Sequence, residues 1–312
     1  MSTFLKSLEL ASPLLLLTAV GYLLKKIKML DEESSKKLSK LVLNLILPVS
    51  IFNYVYNSDF ITAFNPKLIV FLLVFNVLIV VLMIFIAKLY TNDKKKLGAL
   101  IQAGVRGNYS IFSLPLAISI YGESIAAPMT IAVAFLIPLY NVFAMALFEH
   151  YQDRRIKVAT QIINVIKTPI SIATVLGITL NLLHIELPYV ILETLDYIGK
   201  SVTAISLINL GSSFNFKINT SMIKLLVIAL FYKLVFTPLI AIPVASIMGF
   251  DSMSMIIILV IACAPIATSA FSTAVCYNTD IDLTSSCVVY SYLFCSITIP
   301  LFLSVVTLLE LV

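Results

Sequence analysis

Long apolar runs are the feature that most constrains this chain. Segments 68–87 and 255–276 each contain about twenty consecutive residues without a charged side chain. A helix of roughly 20 apolar residues is long enough to cross about 30 Å of hydrocarbon. Only 12% of the 312 residues are charged, against about 25% in soluble domains. The sequence therefore predicts an integral membrane protein and excludes an ordinary soluble enzyme.

Ten apolar segments can be placed along the chain, and we expect each to form a membrane-spanning helix. The fold class predicted is an all-α polytopic membrane protein. Ten spans occupy nearly the whole length, so little remains for a soluble catalytic domain. The expected spans, numbered 1 to 10 in chain order, are 7–25, 38–56, 66–88, 97–121, 126–148, 163–184, 193–213, 222–248, 254–277 and 283–308.

Lysine and arginine residues are distributed unequally between the two sides of the membrane. Most of them lie in the loops and helix ends that follow spans 1, 3, 5 and 7, whereas the opposite side has only Lys6, Lys67 and Lys200. The positive-inside rule then predicts cytoplasmic basic loops and both termini outside. We expect a multi-pass protein of the plasma membrane. Because orientation accounts for the net charge of +5, no nucleic-acid partner is expected.

Motifs for metal, cofactor or nucleophilic chemistry are missing from the sequence. Cys263, Cys276, Cys287 and Cys295 have spacings that fit neither a CxxC metal site nor a disulfide framework, and we expect buried apolar thiols. The chain has no HExxH, GxSxG, Walker A or GxGxxG motif. We therefore expect neither an enzyme nor a bound cofactor or metal.

Similar residues recur at an offset of 156, which is half the chain length. Five spans per half is an odd number, so the second half, 157–312, would enter the membrane from the side opposite to the first half, 1–156. Such inverted repeats are common in secondary transporters. Chance similarity between apolar segments is the alternative. The recurring pairs are Ser12-Pro13 with Gly21 against Thr168-Pro169 with Gly177, and Tyr121-Gly122 against Tyr277-Asn278.

Spans 4 and 9 carry residues that disfavour a continuous helix. Span 4 contains Gly104, Gly107 and Pro115, and in span 9 Pro265 is followed by several hydroxyl side chains. Proline removes a backbone donor and clashes one turn back, and freed backbone groups are tolerated only beside protein or water. A half-helix that begins at such a break presents N–H groups suited to an anion. The sequence predicts two broken, crossed helices, with simple kinks as the alternative.

These segments resemble the auxin efflux carrier family, which includes plant PIN proteins and bacterial organic-acid permeases and is related in fold to the bile acid–sodium symporters. The resemblance implies ten helices in two inverted repeats, arranged as a scaffold domain and a transport domain that contains the crossed helices. The residues that carry it are Gly107-Asn108, Leu114-Pro115-Leu116, Tyr121-Gly122, Leu47-Pro48 with Phe52, Asn209-Leu210-Gly211, Lys233 with Pro238, Pro265 and Ile299-Pro300.

The resemblance also implies individual roles. Asn108 is expected to hydrogen-bond a substrate carboxylate, and Pro115 to make the break in span 4. The sequence departs from plant members at Ala270, where they have a crossover proline, and at Asn76, the polar residue of span 3 where they have an acidic and a basic residue. The candidate substrate-binding residues are Ser50, which is displaced by one position from the plant serine, Arg106, Gly107, Asn108, Ser110, Pro115, Asn209, Lys233, Pro265, Thr268 and Ser269.

Two of these candidates are cations well inside a predicted span. Arg106 and Lys233 could counterbalance an organic anion, since intramembrane charges mark functional sites by default. Their alternative role is to bind backbone carbonyls at a break. All 16 aspartates and glutamates are expected in loops or at helix ends, so the sequence offers no evident proton carrier. Uniport or exchange therefore stands beside proton symport.

The function expected from the sequence is secondary transport of a small organic anion, a carboxylate such as malate, by alternating access at the crossed helices. The alternatives are an efflux carrier for an auxin-like aromatic acid and a membrane sensor or channel that uses the same fold without transport. The expected partners are the organic anion and the lipid bilayer, with a homodimer left open.

Overall fold

The computed structural model describes residues 2–57, 63–152, 167–212, 214, 222–270, 274 and 279–312, and the regular structure within this part of the chain is helical. Short connections join the helices. In chain order they are α1 (Ser2–Lys26), α2 (Glu32–Leu41), α3 (Leu47–Tyr56), α4 (Pro66–Tyr90), α5 (Lys94–Val105), α6 (Leu114–Tyr121), α7 (Ala126–Gln152), α8 (Pro169–Leu182), α9 (Tyr189–Lys200), α10 (Val202–Ser212), α11 (Ile223–Phe231), α12 (Thr237–Ile247), α13 (Ser252–Ala262) and α14 (Ile281–Leu308).

Helix occupies part of every predicted span. Among the described residues, four continuous helices are long and apolar enough to cross a membrane, namely Glu33–Tyr56, Pro66–Tyr90, Ile223–Ile247 and Ile281–Leu308. Shorter apolar helices accompany them, so the chain has the composition of a polytopic membrane protein. The count of ten crossings stays a prediction. The expected boundary at 156/157 lies outside the described residues.

Three helices widen into a π-helical turn just before a proline. The turns are Val42–Ile46, Tyr109–Ser113 and Tyr232–Phe236, and each ends two residues before Pro48, Pro115 or Pro238. A proline ring clashes with the carbonyl four residues back. The π-helical turn opens that part of the backbone, with the residue before each proline bonding to the carbonyl five residues back. The helices therefore continue past their prolines.

Helices α1 and α10 touch through their backbones. A Cβ atom added at Gly21 would lie 1.8 Å from the carbonyl oxygen of Ile208, and one at Gly211 would lie 1.8 Å from that of Thr18. Neither position can hold a larger residue without moving a helix. On the other side of the fold, Gly177 of α8 packs on α3, where its Cβ would meet the Phe52 carbonyl oxygen at 3.2 Å.

The predicted topology places the loops after odd-numbered spans on one side of the membrane and those after even-numbered spans on the other. Contacts near the helix ends agree with this alternation. One group includes the loops after spans 1, 3, 7 and 9, and the other includes the loops after spans 2, 6 and 8. In the second group, Lys67 Nζ donates to the Met248 carbonyl at 2.7 Å and Tyr56 Oη to the Ile185 carbonyl at 2.9 Å, which joins the loop after span 2 to those after spans 8 and 6. The continuous helices Pro66–Tyr90 and Ile223–Ile247 lead from this group to the loops after spans 3 and 7. There Asp280 N–H donates to the Lys95 carbonyl at 3.3 Å, and Lys25 Nζ donates to the Phe214 carbonyl at 2.5 Å.

The cysteine prediction is confirmed for three of the four thiols. Cys263, Cys287 and Cys295 are free and buried in the apolar core. Cys276 lies outside the described residues. The described residues contain no group of three or more His, Cys, Asp or Glu side chains that could hold a metal ion.

Candidate functional site

The interruptions in spans 4 and 9 lie side by side. Helix α5 ends at Val105 and helix α13 ends at Ala262, and the segments that follow form one antiparallel backbone bridge, between Gly107 and Ile266. Its hydrogen bonds run from Asn108 N–H to the Pro265 carbonyl, at 2.8 Å, and from Ala267 N–H to the Arg106 carbonyl, at 3.0 Å. We call residues 106–108 and 264–267 the crossing.

Gly107 allows the two segments to approach. A Cβ atom at this position would lie 2.4 Å from Cε1 of Tyr109 and 2.9 Å from Cβ of Ala264. Both distances are shorter than real Cβ contacts, and Tyr109 is buried. The crossing therefore requires glycine here.

The expected role of Pro115 is wrong. The chain leaves the helix at Arg106, and Pro115 lies beyond the break, near the start of α6. The π-helical turn Tyr109–Ser113 absorbs the clash of the proline ring, so the helix is widened there and not broken. Pro265, in contrast, lies in the crossing itself, where its carbonyl accepts the hydrogen bond from Asn108.

Side chains bind the backbone groups that the crossing leaves outside helices. Asn108 caps the half-helix that starts at Tyr109, because its Oδ1 accepts from the Ile111 N–H at 3.4 Å. Its Nδ2 donates to Tyr292 Oη at 2.5 Å. From α14, Ser291 Oγ accepts from the Ile266 N–H at 2.9 Å. Helix α14 thus holds both halves of the crossing in place.

The crossing has a positive dipole end suited to an anion. The half-helix Tyr109–Tyr121 begins there, and the first N–H groups of any helix have no partner within it. In span 9 the chain turns again at Thr268, which is half-buried, while Ser269 is exposed. The structure brings Arg106, Gly107, Asn108 and Pro265 together, and Thr268 follows directly.

Lys233 lies beside the crossing. Its side chain is only 2% exposed, and its Nζ lies 3.5 Å from the carbonyl oxygens of both Ile261 and Ala262 and 5.7 Å from the centre of the Tyr109 ring. An ammonium in the membrane costs on the order of 3 kcal/mol. A helix C-terminus contributes up to about 2 kcal/mol and a cation–π contact about 0.5–2 kcal/mol. This geometry matches the alternative role of Lys233, in which its ammonium binds backbone carbonyls at the break.

A chain of hydroxyl and amide groups extends from the crossing into α7 and α4. Tyr109 and Tyr140 share a hydrogen bond of 2.6 Å between their hydroxyls, and the Tyr140 hydroxyl also donates to Asn76 Oδ1. Tyr140 and the half-buried Arg106 line a small cavity between α4, α5 and α7. Sequence reasoning missed Tyr109, Tyr140 and Tyr292, because a tyrosine in an apolar segment carries no signal of its partner.

Ser110 lies at the junction between spans 2, 4, 5 and 6, whereas Ser50, on span 2, faces span 7. Ser110 lines a cavity of about 20 Å³, which has room for roughly one water molecule. Ser50, 1% exposed, packs against Gly199 of α9. The other residues that line the cavity are Ile51, Leu114, Thr130, Val133, Ala134, Ile137, Ile170 and Thr174.

Asn209 belongs to a different polar cluster. Its Oδ1 accepts from Ser35 Oγ at 3.0 Å and its Nδ2 donates to Ser39 Oγ at 2.7 Å. Ser212 Oγ also donates to Ser35 Oγ, at 3.1 Å. These side chains join α2 to α10, so the structure gives Asn209 a helix-joining role instead of a place in the crossing.

Comparisons with known proteins agree with this architecture. The family described as "Membrane transport protein" matches residues 7–303. An uncharacterized transporter of Methanocaldococcus jannaschii is 26% identical over 299 residues, which cover 92% of this chain and 94% of that protein. An uncharacterized transporter of Methanothermobacter thermautotrophicus is 23% identical over 300 residues, which cover 96% and 98%. Because the family match extends over nearly the whole chain, the protein belongs to the membrane transport protein family, the auxin efflux carrier family that its span 4 resembles.

Proposed function

We propose that this membrane transport protein is a secondary transporter of a small organic anion, a carboxylate such as malate, which binds at the crossing and moves by alternating access. The observation that carries the proposal is the backbone bridge between Gly107 and Ile266 at the start of a half-helix capped by Asn108. Discontinuous helices of this kind form the substrate sites of many secondary transporters.

Asn108 is the proposed carboxylate ligand. Its amide nitrogen has two hydrogens, and one of them bonds to Tyr292. The second hydrogen can donate to an anion placed at the N-terminus of the half-helix. Helix N–H groups and a side-chain amide are common ligands for carboxylates. In this proposal Thr268 and Ser269, at the opposite side of the crossing, supply further hydroxyl donors.

We further propose that residues 1–156 and 157–312 are inverted repeats that together build a scaffold and a transport domain. The packing of two glycines supports this. Gly21, in the first repeat, brings α1 against α10, and Gly177, 156 residues later, packs α8 against α3. Exchanging the two halves converts one of these pairs into the other. The cavity beside Ser110 lies between spans 2 and 6 on one side and spans 4 and 5 on the other, where relative motion would open a path.

The membrane potential gives the proposed transport a direction. At about 100 mV, inside negative, each net negative charge that leaves the cell is favoured by roughly 2.3 kcal/mol. Export of the anion therefore needs no coupled ion. In the plasma membrane this direction is efflux, whichever way the protein is oriented.

Counterflow in proteoliposomes tests the proposal. Vesicles loaded with unlabelled malate should take up labelled malate, and Asn108→Ala should reduce this exchange at least tenfold. Asn44→Ala is the matched control, because Asn44 is exposed on span 2 and its amide donates to the Lys40 carbonyl within the same helical segment. Stronger competition by aromatic monocarboxylates would favour the auxin-like alternative. No exchange of any acid by folded protein would contradict transport and favour the sensor or channel.

A further inference from the structure

We infer that Lys233 is a built-in cation that takes the place of a coupling ion at the crossing, so that anion exchange by this protein requires no metal cation. The inference rests on the proposed function, since it concerns the same crossing. In transporters with discontinuous helices, the C-terminal ends of half-helices and unwound carbonyls coordinate the coupling Na⁺ or H⁺. Here the end of one half-helix holds the ammonium group of the protein itself.

The position of the ammonium supports this assignment. Helix α13 ends at Ala262, and Lys233 Nζ lies 3.5 Å from the carbonyl oxygens of its last two residues, Ile261 and Ala262. These distances are long for hydrogen bonds, but they are short enough for a charge to interact with the negative end of the helix dipole. A metal cation at this helix end would need the same oxygens.

Among the described side chains, no carboxylate lies beside Lys233 to share its charge or to complete a metal site. The Tyr109 ring and the Cys263 thiol also lie near its ammonium. No aspartate or glutamate is buried among the side chains that the structure describes, and Lys233 is the buried charged residue there. An ammonium tethered to the chain therefore accounts for this position better than a metal ion does.

The ammonium is connected to the anion site through a short stretch of backbone. Only two residues separate Ala262 from Pro265, whose carbonyl accepts the hydrogen bond from Asn108 N–H. Lys233 itself lies in the π-helical turn Tyr232–Phe236, and such turns occur often at functional sites. A bound malate dianion and this ammonium would together carry one net negative charge, as malate and one co-bound Na⁺ would in a coupled carrier.

The first test uses the wild-type protein. Counterflow of labelled malate is measured in Na⁺ buffer and in buffer where N-methylglucamine replaces all metal cations. We expect rates within about twofold of each other. Stimulation by Na⁺ of fivefold or more would overturn the inference while leaving the proposed transport intact, whereas no exchange in either buffer would contradict the proposed transport itself.

The second test removes the ammonium. Lys233→Ala should reduce exchange at least tenfold, and propylammonium or Na⁺ added to the buffer should restore part of it. Lys224→Ala, on the same predicted span but at its end over the Tyr90 ring, should exchange like wild type. Size-exclusion and thermal-unfolding profiles verify folding. Undiminished exchange by Lys233→Ala, or a loss that neither cation restores in folded protein, would contradict the inference. If Lys233→Ala does not fold, the wild-type comparison decides.

Discussion

At Asn108 a single amide caps the half-helix and, in the proposed function, also binds the substrate carboxylate. Its oxygen caps the half-helix through the Ile111 N–H, and its nitrogen donates to Tyr292. Asparagine and aspartate are equally good caps, but only asparagine can donate a hydrogen bond to a carboxylate when aspartate is ionised. Replacing one by the other therefore separates the two roles.

Asn108→Asp should still fold but fail to transport. The carboxylate keeps the acceptor for Ile111, and the N-terminal dipole stabilises it by up to about 2 kcal/mol, which offsets most of the roughly 3 kcal/mol cost of a charge within the membrane. We therefore expect a loss of unfolding free energy of about 1–2 kcal/mol. A like charge about 4 Å away, at an effective dielectric constant of 20, opposes an anion by roughly 4 kcal/mol, so malate counterflow should fall at least tenfold.

Thermal unfolding and counterflow on the same preparation measure the two effects. Counterflow equal to wild type would remove Asn108 from the anion site. A large loss of stability with unchanged affinity would assign it to the fold alone.

At the residue scale, the depth of Lys233 in the membrane can be predicted from the sequence, but its partners cannot. Its depth in span 8 was evident from the sequence, because apolar residues surround it on both sides. Its partners were not, since the carbonyls of Ile261 and Ala262 lie 28 and 29 residues further along the chain. Backbone carbonyls occur at every residue, so no residue type indicated which ones an ammonium would bind.

At the element scale, the helix of span 4 is interrupted at Gly107, whereas Pro115 only widens it into a π-helical turn. Gly104 and Gly107 lie one helical turn apart, yet their surroundings differ. A Cβ at Gly104 would meet the flexible end of Met83, with Cε at 2.7 Å, whereas one at Gly107 would meet the Tyr109 ring at 2.4 Å. That ring is held by its hydrogen bond to Tyr140 and cannot move aside.

Gly107→Ala should therefore be far more harmful than Gly104→Ala. Overpacking at the crossing should cost about 1–3 kcal/mol of stability and reduce counterflow at least tenfold. At Gly104, inside α5, alanine favours the helix by about 1 kcal/mol, and the flexible Met83 side chain can move aside. The paired melting temperatures and exchange rates check this, and equal losses in both variants would contradict the requirement for glycine at the crossing.

The positions of these elements followed from hydropathy more reliably than their interruptions did. Helix lies in all ten predicted segments because long apolar runs allow no other regular structure in lipid. The sequence predicts the break in span 4 at Pro115, whereas the helix is interrupted at Arg106–Asn108, because a π-helical turn accommodates the proline ring. Whether a proline breaks, kinks or widens a helix depends on its neighbours in space, which the local sequence does not contain.

At the scale of the whole molecule, contacts between loops restrict the topology. Asp280 lies in the loop after span 9, which contains acidic residues and no basic ones. The positive-inside rule therefore does not by itself assign this loop to one side of the membrane. The Asp280 N–H donates to the Lys95 carbonyl, which places the loop with the basic segment Lys94–Lys96. Glu186, beside the Ile185–Tyr56 contact, belongs to the opposite group.

Cysteine accessibility should distinguish the two sides. With the basic loops in the cytoplasm, Lys94→Cys should resist a membrane-impermeant maleimide on intact cells and react after permeabilisation, whereas Glu186→Cys should react on intact cells. Both positions are exposed, so access to the reagent, not burial, decides the result. The wild-type chain, with Cys263, Cys287 and Cys295 buried, reports the background. The reverse labelling pattern would overturn the predicted orientation and place the basic loops outside the cell.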